Sequence, residues 1–447
     1  MKDRIVKKFD NGLKLIYKRD KSKEAVYLEL RFFSGLNNDP KDKLGLAHFV
    51  EHCAGLSNNK YTRQEKNDYR IKLYYANFST SRNCMRFYAY VSDEELEDVL
   101  VHYVNSISDF TVPQDEFENE RKVIKQEILG RKRDLTSEMV IAIREVFYKE
   151  IVDSRILPSG TVNSIENITK QDILDYAKKC FVLDNCQITV YGNVSYSRVQ
   201  KLIKKHLIPA LNKSSESKFL KPEELISYSN ASPTMVINPP PNADKSRLRA
   251  IHKIHLSNID RFRSYAVSLL NSIFETATHE FFREKYGLCY ASNIRFFKSI
   301  SINNDFDILE MDVVVDCDKN GVKAVLEKLP EFYSFIQRYP INKESVEKAK
   351  TTLRRYEKCS STRNYIQNGE SLGDGEFAGN IYYTHKQNQI YKKKREKISV
   401  DFVKEVFKQV ALTKPFIFIL SKTKEELISY DDLSKQIQKN SAWIKSI

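Results

Sequence analysis

Nowhere do apolar residues run uninterrupted for the roughly 18 positions that a membrane-crossing helix needs, so no membrane-spanning helix is expected. The amino terminus, Met1 to Phe9, is charged and leads straight into an alternating strand pattern; it lacks the apolar core of a secretion signal. No Cys-x-x-Cys pair occurs. The seven cysteines, at 53, 84, 180, 186, 289, 317 and 359, are odd in number and scattered, which argues against a disulfide framework and for reduced thiols, and the expected compartment is cytoplasmic. Zinc-finger and RNA-binding signatures are absent as well. The formal charge of +14 is therefore read as a solvated basic surface, Lys392-Lys393-Lys394-Arg395 included, that favours acidic peptides over nucleic acid.

What is present is globular. Of the 447 residues, 41% are hydrophobic and 30% charged, and 25 Tyr with 25 Phe provide aromatic mass for packing, which excludes wholesale disorder. The length calls for two to four domains or two large ones.

Periodicity predicts strand, turn and strand over residues 4 to 19, with Asn11-Gly12 as the turn, then a strand over Val26 to Phe33. A helix follows from about Gly45, and another from Thr62, where Thr62-Arg63-Gln64-Glu65 has the form of a capping box. Next come a strand over Arg86 to Val91, a helix from Asp93 to about Ile107 and a long helix from Gln114 to about Arg133. A helix from Thr169 to about Cys180, the strand Cys186 to Gly192 and a helix from Tyr196 to about His206 close the half.

Asn212 to Ala231, rich in Ser, Lys and Glu, reads as a connection, stiffened at its exit by Pro239-Pro240-Pro241. The second half repeats the order: a strand at Arg249 to His255, a helix from Arg261 to about Lys285, strands near Tyr290 to Phe296 and Ile308 to Val315, and helices Lys319 to Arg338 and Asn342 to about Lys358. Val400 to Leu420 echoes Thr169 to Gly192. The fold class is α+β: two duplicated halves, each a mainly antiparallel sheet covered by helices, with a domain over 1–215, a connection over 216–240 and a second domain over 241–447.

The strongest motif is His48-Phe49-Val50-Glu51-His52, an inverted His-x-x-Glu-His. On a helix, His48 and His52 stand one turn apart with Glu51 beside them, while Leu46, Phe49, Val50 and Cys53 face the opposite, core side. Two imidazoles so spaced can grip one Zn²⁺, and a carboxylate beside them can deprotonate a water. A catalytic zinc usually has three protein ligands, so a third is sought elsewhere. Glu127 supplies it, seven residues after Glu120 on the edge of a Phe117, Ile124 and Ile128 stripe; Glu120 is placed to support an imidazole. His252 and His255 lie on a strand pattern and are read as structural.

With these motifs the sequence resembles the pitrilysin and insulinase peptidases, which include mitochondrial processing peptidase and small bacterial members. Gly45-Leu46-Ala47-His48-Phe49-Val50-Glu51-His52 is similar to that family's active-site helix, Glu120 to Ile128 to its second metal helix, and the 75-residue step from His52 to Glu127 fits. Asn77-Phe78-Ser79-Thr80-Ser81 resembles the edge strand that pairs with substrate, with Phe78 where Ala is usual and Asn83 where an acid is common. Arg283-Glu284-Lys285-Tyr286-Gly287-Leu288-Cys289-Tyr290 is similar to a segment whose Arg and Tyr reach the substrate, and Gly160-Thr161 with Ile168-Thr169 matches a turn before the family's final helices.

The resemblance implies a zinc metalloendopeptidase with one Zn²⁺ per chain, held by His48, His52 and Glu127. Glu51 is then the general base, Arg283 and Tyr290 steady the oxyanion, and Asn77, Thr80 and Ser81 contact substrate. It also implies a half-clamshell chain that joins an identical or related subunit to enclose unfolded or short peptides. The rival expectations are a non-catalytic or partner-dependent subunit of the same fold and a purely structural zinc protein; intact ligands and a spare carboxylate weigh against both.

Overall fold

A computed structural model of the chain describes residues 4–56, 61–62, 64–66, 75–130, 135–150, 156–213, 226–228, 232–238, 245–255, 260–298, 308–318, 320–363, 385–412, 414–421 and 427–440. The principal elements of the first half are β1 (Ile5–Lys8), β2 (Lys14–Arg19), β3 (Val26–Phe32), α1 (Leu46–Leu56), β4 (Tyr75–Thr80), β5 (Met85–Val91), α2 (Leu96–Ile107), α3 (Gln114–Gly130), α4 (Leu135–Phe147), α5 (Lys170–Cys180) and β6 (Cys186–Gly192). Those that follow are β7 (Met235–Asn238), β8 (Lys245–His255), α6 (Arg261–His279), β9 (Ala291–Lys298), β10 (Ile308–Asp318), α7 (Val322–Arg338), α8 (Lys343–Arg363), α9 (Val400–Gln409), β11 (Phe416–Leu420) and α10 (Tyr430–Asn440).

Packing divides the chain into two units. The described residues of Met1–Arg131, Glu150–Ser227 and Thr362–His385 form the first; those of Lys132–Lys149, Tyr228–Ser361 and Lys386–Ile447 form the second.

The first unit carries a six-stranded sheet in the order β1-β2-β6-β3-β5-β4, antiparallel except where β2 runs parallel to β6. Strand β3 is buried along its whole length, and the strand alternation gives its two faces different tasks. Leu28, Leu30 and Phe32 enter the core beneath the helices with Leu46, Phe49, Val50, Phe117 and Ile173. Tyr27, Glu29 and Arg31 point the other way. There Glu29 accepts from Arg31 Nε at 2.6 Å and from Arg86 Nη2 at 2.9 Å, and these guanidinium groups hold its carboxyl below the usual range against full burial.

The second unit repeats this plan without a counterpart of β1; its sixth strand is the two-residue Ala411–Leu412, which pairs with the end of β8. The order of the other five is β9-β10-β8-β11-β7, again antiparallel except for one parallel pair, β11 with β7. Taken strand for strand, β7-β11-β8-β10-β9 matches β2-β6-β3-β5-β4, so the duplication expected from the order of elements is realised in topology and in the position of the parallel pair. One face of this sheet packs with α6, α7, α9 and α10. The opposite face, carrying Ile251, Phe416, Phe418 and Leu420, is covered by Met139, Ala142, Ile143 and Val146 of α4.

The predicted strands and helices form within a few residues of their expected positions. The box at Thr62 is present, with Glu65 N–H donating to Thr62 Oγ1 at 3.2 Å and Thr62 N–H to Glu65 Oε2 at 2.8 Å. Helices α4 and α10, the helix His385–Arg395 and strand β7 were not expected. His252 is buried and meets the Tyr333 hydroxyl, a structural role; the His255 side chain, Pro239 to Pro241 and most of the connection lie outside the described residues.

Candidate metal centre

Helix α1 buries Leu46, Phe49, Val50 and Cys53 in the first core, each at or below 3% exposure. At roughly 1.5–3 kcal/mol for each large apolar side chain, that burial fixes the rotation of the helix and turns His48, Glu51 and His52 to its other side. The helix begins on a fold-back. Asp39, six residues upstream of Gly45, accepts the Gly45 N–H at 2.8 Å with Oδ2 and the Ala47 N–H at 3.0 Å with Oδ1. These are among the N-terminal amides that a helix cannot satisfy itself. Burial pushes the Asp39 carboxyl up to about 8, against the pull of those amides and of the Tyr176 hydroxyl.

Gly45 has φ +97°, a conformation that favours glycine. Facing it is Gly160, where an added Cβ would stand 2.0 Å from Leu44 O, and Ser164 Oγ donates to that same carbonyl at 2.6 Å. The segment singled out around Gly160-Thr161 is thus the wall against which the first turn of α1 rests. Thr161 caps a short helix over Val162–Glu166, and Thr169 caps α5.

Helix α3 is brought alongside by aromatic contact. Phe49 and Phe117 stack at 5.1 Å between centroids and 9° between planes. Arg121 lies over Phe117 at 4.7 Å and donates to Ile168 O at 2.7 Å, which ties the helix lengthwise.

This packing brings five side chains together. His52 Nε2 is 3.7 Å and His48 Nε2 3.9 Å from Glu127 Oε2, and one donor atom each from His48, His52 and Glu127 falls within 4.8 Å of the others. Donors on a tetrahedral zinc at about 2.0–2.1 Å stand about 3.4 Å apart, so the two His–Glu127 separations exceed that spacing by only a fraction of an ångström. Glu51 is buried beside them, its Oε2 3.9 Å from His48 Nε2. Glu120 is buried at 2% exposure, with Oε2 3.0 Å from His52 Nδ1. A carboxylate on Nδ1 sets the tautomer that leaves Nε2 as the electron-pair donor.

Burial raises the Glu51 carboxyl to about 7, partly opposed by the charge of His52 and the hydrogen bond from Thr80. For His52, burial disfavours the charged form, but the Glu120 hydrogen bond and the charges of Glu51, Glu120 and Glu127 outweigh it and raise the pKa. Chemically, the cluster offers a set of N and O donors for a borderline metal and an additional carboxylate that titrates near neutrality.

The strand residues divide between tasks. Thr80 Oγ1 donates to Glu51 Oε2 at 3.1 Å. Asn77, on the opposite face of β4, donates to Tyr88 OH at 3.3 Å. Ser81 Oγ accepts from the Cys84 N–H at 3.0 Å and donates to Cys84 O at 3.1 Å, closing the β4–β5 turn. Strand β4 is the outermost strand of the described sheet.

Arg283 and Tyr290 belong to the second unit, where Arg283 lies on a wide helical turn, Glu280–Lys285, and its Nη1 donates to Tyr290 O at 3.1 Å. Tyr290 is 43% exposed, with Lys245 Nζ 4.5 Å from its ring centroid. Asp39 and the contact of Thr80 with Glu51 escape a reading of the sequence. The fold-back from Asp39-Pro40 to Gly45 and the alternation Ala76, Phe78, Thr80 are the patterns that carry them.

Comparison with known proteins gives two family matches. Residues 14–143 match Insulinase (Peptidase family M16), and residues 167–353 match the Peptidase M16 inactive domain. A probable zinc protease PqqL of Haemophilus influenzae is 27% identical over 215 residues, 45% of this chain and 22% of that protein. Zinc protease PqqE of Helicobacter pylori is 26% identical over 201 residues, 44% of this chain and 45% of that protein. The crystal structure of the periplasmic protease PqqL from Escherichia coli superimposes with a TM-score of 0.75 at 16% identity, covering 100% of this chain and 50% of that one, a likeness of fold. The matched stretches thus cover less than half of the two curated relatives, and the chain spans half of the PqqL structure.

Proposed function

From the premise that the chain belongs to the insulinase family of peptidases, family M16, we propose that it is a zinc-dependent peptidase that hydrolyses peptide bonds in short or unfolded peptides. The observation that carries this reading is the convergence of His48, His52 and Glu127 on one point with the Glu51 carboxylate beside it.

His48, His52 and Glu127 would hold one Zn²⁺, and Glu120 holds the His52 ring in its coordinating tautomer. When bound, zinc supplies a Lewis acid that makes a water acidic near neutral pH and polarises the scissile carbonyl. Glu51 takes a proton from the attacking water and returns it to the departing amine. Arg283 and Tyr290 are assigned to the oxyanion from the resemblance of their segment. Strand β4, as an outermost strand, presents a main-chain edge on which an extended peptide can be added, a mode that reads sequence weakly.

A chain that spans half of the PqqL structure, and whose later portion matches an inactive peptidase domain, supports pairing with a second copy or a related subunit around an enclosed chamber. A cytoplasmic setting rests on the cysteine pattern alone.

The test is a mixture of unstructured peptides incubated with the zinc-loaded chain, with and without chelator, and read by mass spectrometry. Cleavage abolished by chelator and restored by zinc is expected. Glu51→Gln should keep its zinc and lose turnover by about 10²–10⁴-fold, the usual contribution of a general base. Zinc binding with no cleavage, alone or with a related subunit, would refute the peptidase reading, as would full activity in Glu51→Gln.

A further inference from the structure

Strand β4 passes α1 at two contacts. The first is Phe78 against Gly55: a Cβ added at Gly55 would lie 2.6 Å from Phe78 Cδ2, so only glycine admits the ring at that depth. Phe78 is held there from its other side by Phe87 and Tyr103, at centroid distances of 4.7 and 5.5 Å. The second is the hydrogen bond from Thr80 Oγ1 to Glu51 Oε2, 3.1 Å long.

Two residues along an antiparallel strand advance about 6.8 Å, and the four residues from Glu51 to Gly55 advance about 6 Å along a helix. The two contacts are therefore matched in length, with strand and helix running in opposite senses past each other. Among the described residues Thr80 is the hydrogen-bond donor that Glu51 has, and it reaches the same oxygen that faces His48. The alternation that points Phe78 and Thr80 at α1 turns Asn77 to the opposite face.

We propose that Thr80 is a positioning residue that fixes the Glu51 carboxylate, with Phe78 seated on Gly55 setting the register of the strand, and that its hydroxyl does not serve as a contact to substrate. The inference rests on the assignment of Glu51 as general base. The hydroxyl holds one oxygen of Glu51 by a charge-assisted hydrogen bond and leaves the other to receive the proton. Displacement of a base by about an ångström costs up to about 10²-fold in rate.

The experiment compares wild type, Thr80→Val, which keeps the shape without the donor, and Thr80→Ser, which keeps the donor. Turnover, zinc content, thermal midpoint and the crystal structure of each zinc-loaded protein are measured. Thr80→Val should bind zinc as wild type does, keep KM within about twofold and lose about 10- to 100-fold in kcat, with Glu51 turned from its wild-type rotamer; Thr80→Ser should recover most of the rate. A rise in KM at unchanged kcat would make Thr80 a substrate contact and overturn the inference, and so would wild-type kcat in Thr80→Val or failure of Thr80→Ser to rescue. A wild type that binds zinc and cleaves nothing defeats the peptidase reading separately. The structures then decide: a Glu51 carboxylate unmoved in Thr80→Val overturns the positioning role, and a displaced one sustains it.

Discussion

Lys66 sits at 3% exposure with its ammonium donating to Ala54 O at 2.7 Å, near the end of the helix that carries the histidines. Burial lowers its pKa to about 7. Burial, with the charge of Lys66 added, lowers His102 to about 4. Both are bases whose native pKa falls below the unfolded value, about 10.4 for Lys and 6.5 for His. Between about pH 4 and 6.5 for His102, and between about 7 and 10.4 for Lys66, the unfolded chain binds more protons than the native one. Stability therefore rises with pH through each window and is lost as pH falls through it. Urea midpoints at pH 7.5 and 9.5 should show the native state more stable at the higher value, and Lys66→Met should flatten that difference. An unaltered slope in the variant would show that Lys66 is charged when folded.

At the scale of elements, the helix that carries His48 and His52 owes its placement to its first turn. Asp39→Ala leaves the Gly45 and Ala47 amides without their buried acceptor and should cost about 2–4 kcal/mol. Gly160→Ala drives a Cβ to within 2.0 Å of Leu44 O, moving the same turn from the other side. Because both act on one helix end, the double variant should lose less than the sum of the two. Zinc affinity, read by competition with a chromogenic chelator, should fall with each. Additive losses with unchanged affinity would separate this turn from the metal centre.

These contacts mark the boundary of what the sequence discloses. The cluster of His48, His52 and Glu127 is legible because helical spacing and a requirement for three donors select these residues as candidate ligands. Glu120 follows because a buried carboxylate on that helix needs a partner. Asp39 acts across a loop and Thr80 between a strand and a helix, so the fold-back and the strand alternation that place them do not name the groups they meet. Helix α4 shows the same limit: Met139, Ala142, Ile143 and Val146 make an ordinary apolar stripe, and the strands it covers come about a hundred residues or more later.

For the whole molecule, that helix alters how the duplication is to be understood. The two sheets agree over five strands, including one parallel pair each, but among the described residues one face of the second is covered by sequence from outside its own half. Ile251, Phe416, Phe418 and Leu420 form an apolar face that a solvent-exposed sheet would not carry, and the chain covers it with α4, which lies between α3 and α5 in sequence. A charge at Met139, which is 1% exposed, should therefore injure the second unit although it lies in the first third of the chain. In full-length Met139→Asp, hydrogen exchange read by mass spectrometry should show lost protection over β8 and β11, with β3 and β6 retained and zinc still bound, because an unpaired buried carboxylate costs several kcal/mol where it sits. Loss of protection spread equally over both sheets would mean that the units unfold as one cooperative body. Confinement to the second would mean that the metal centre stands on a core that its own unit completes.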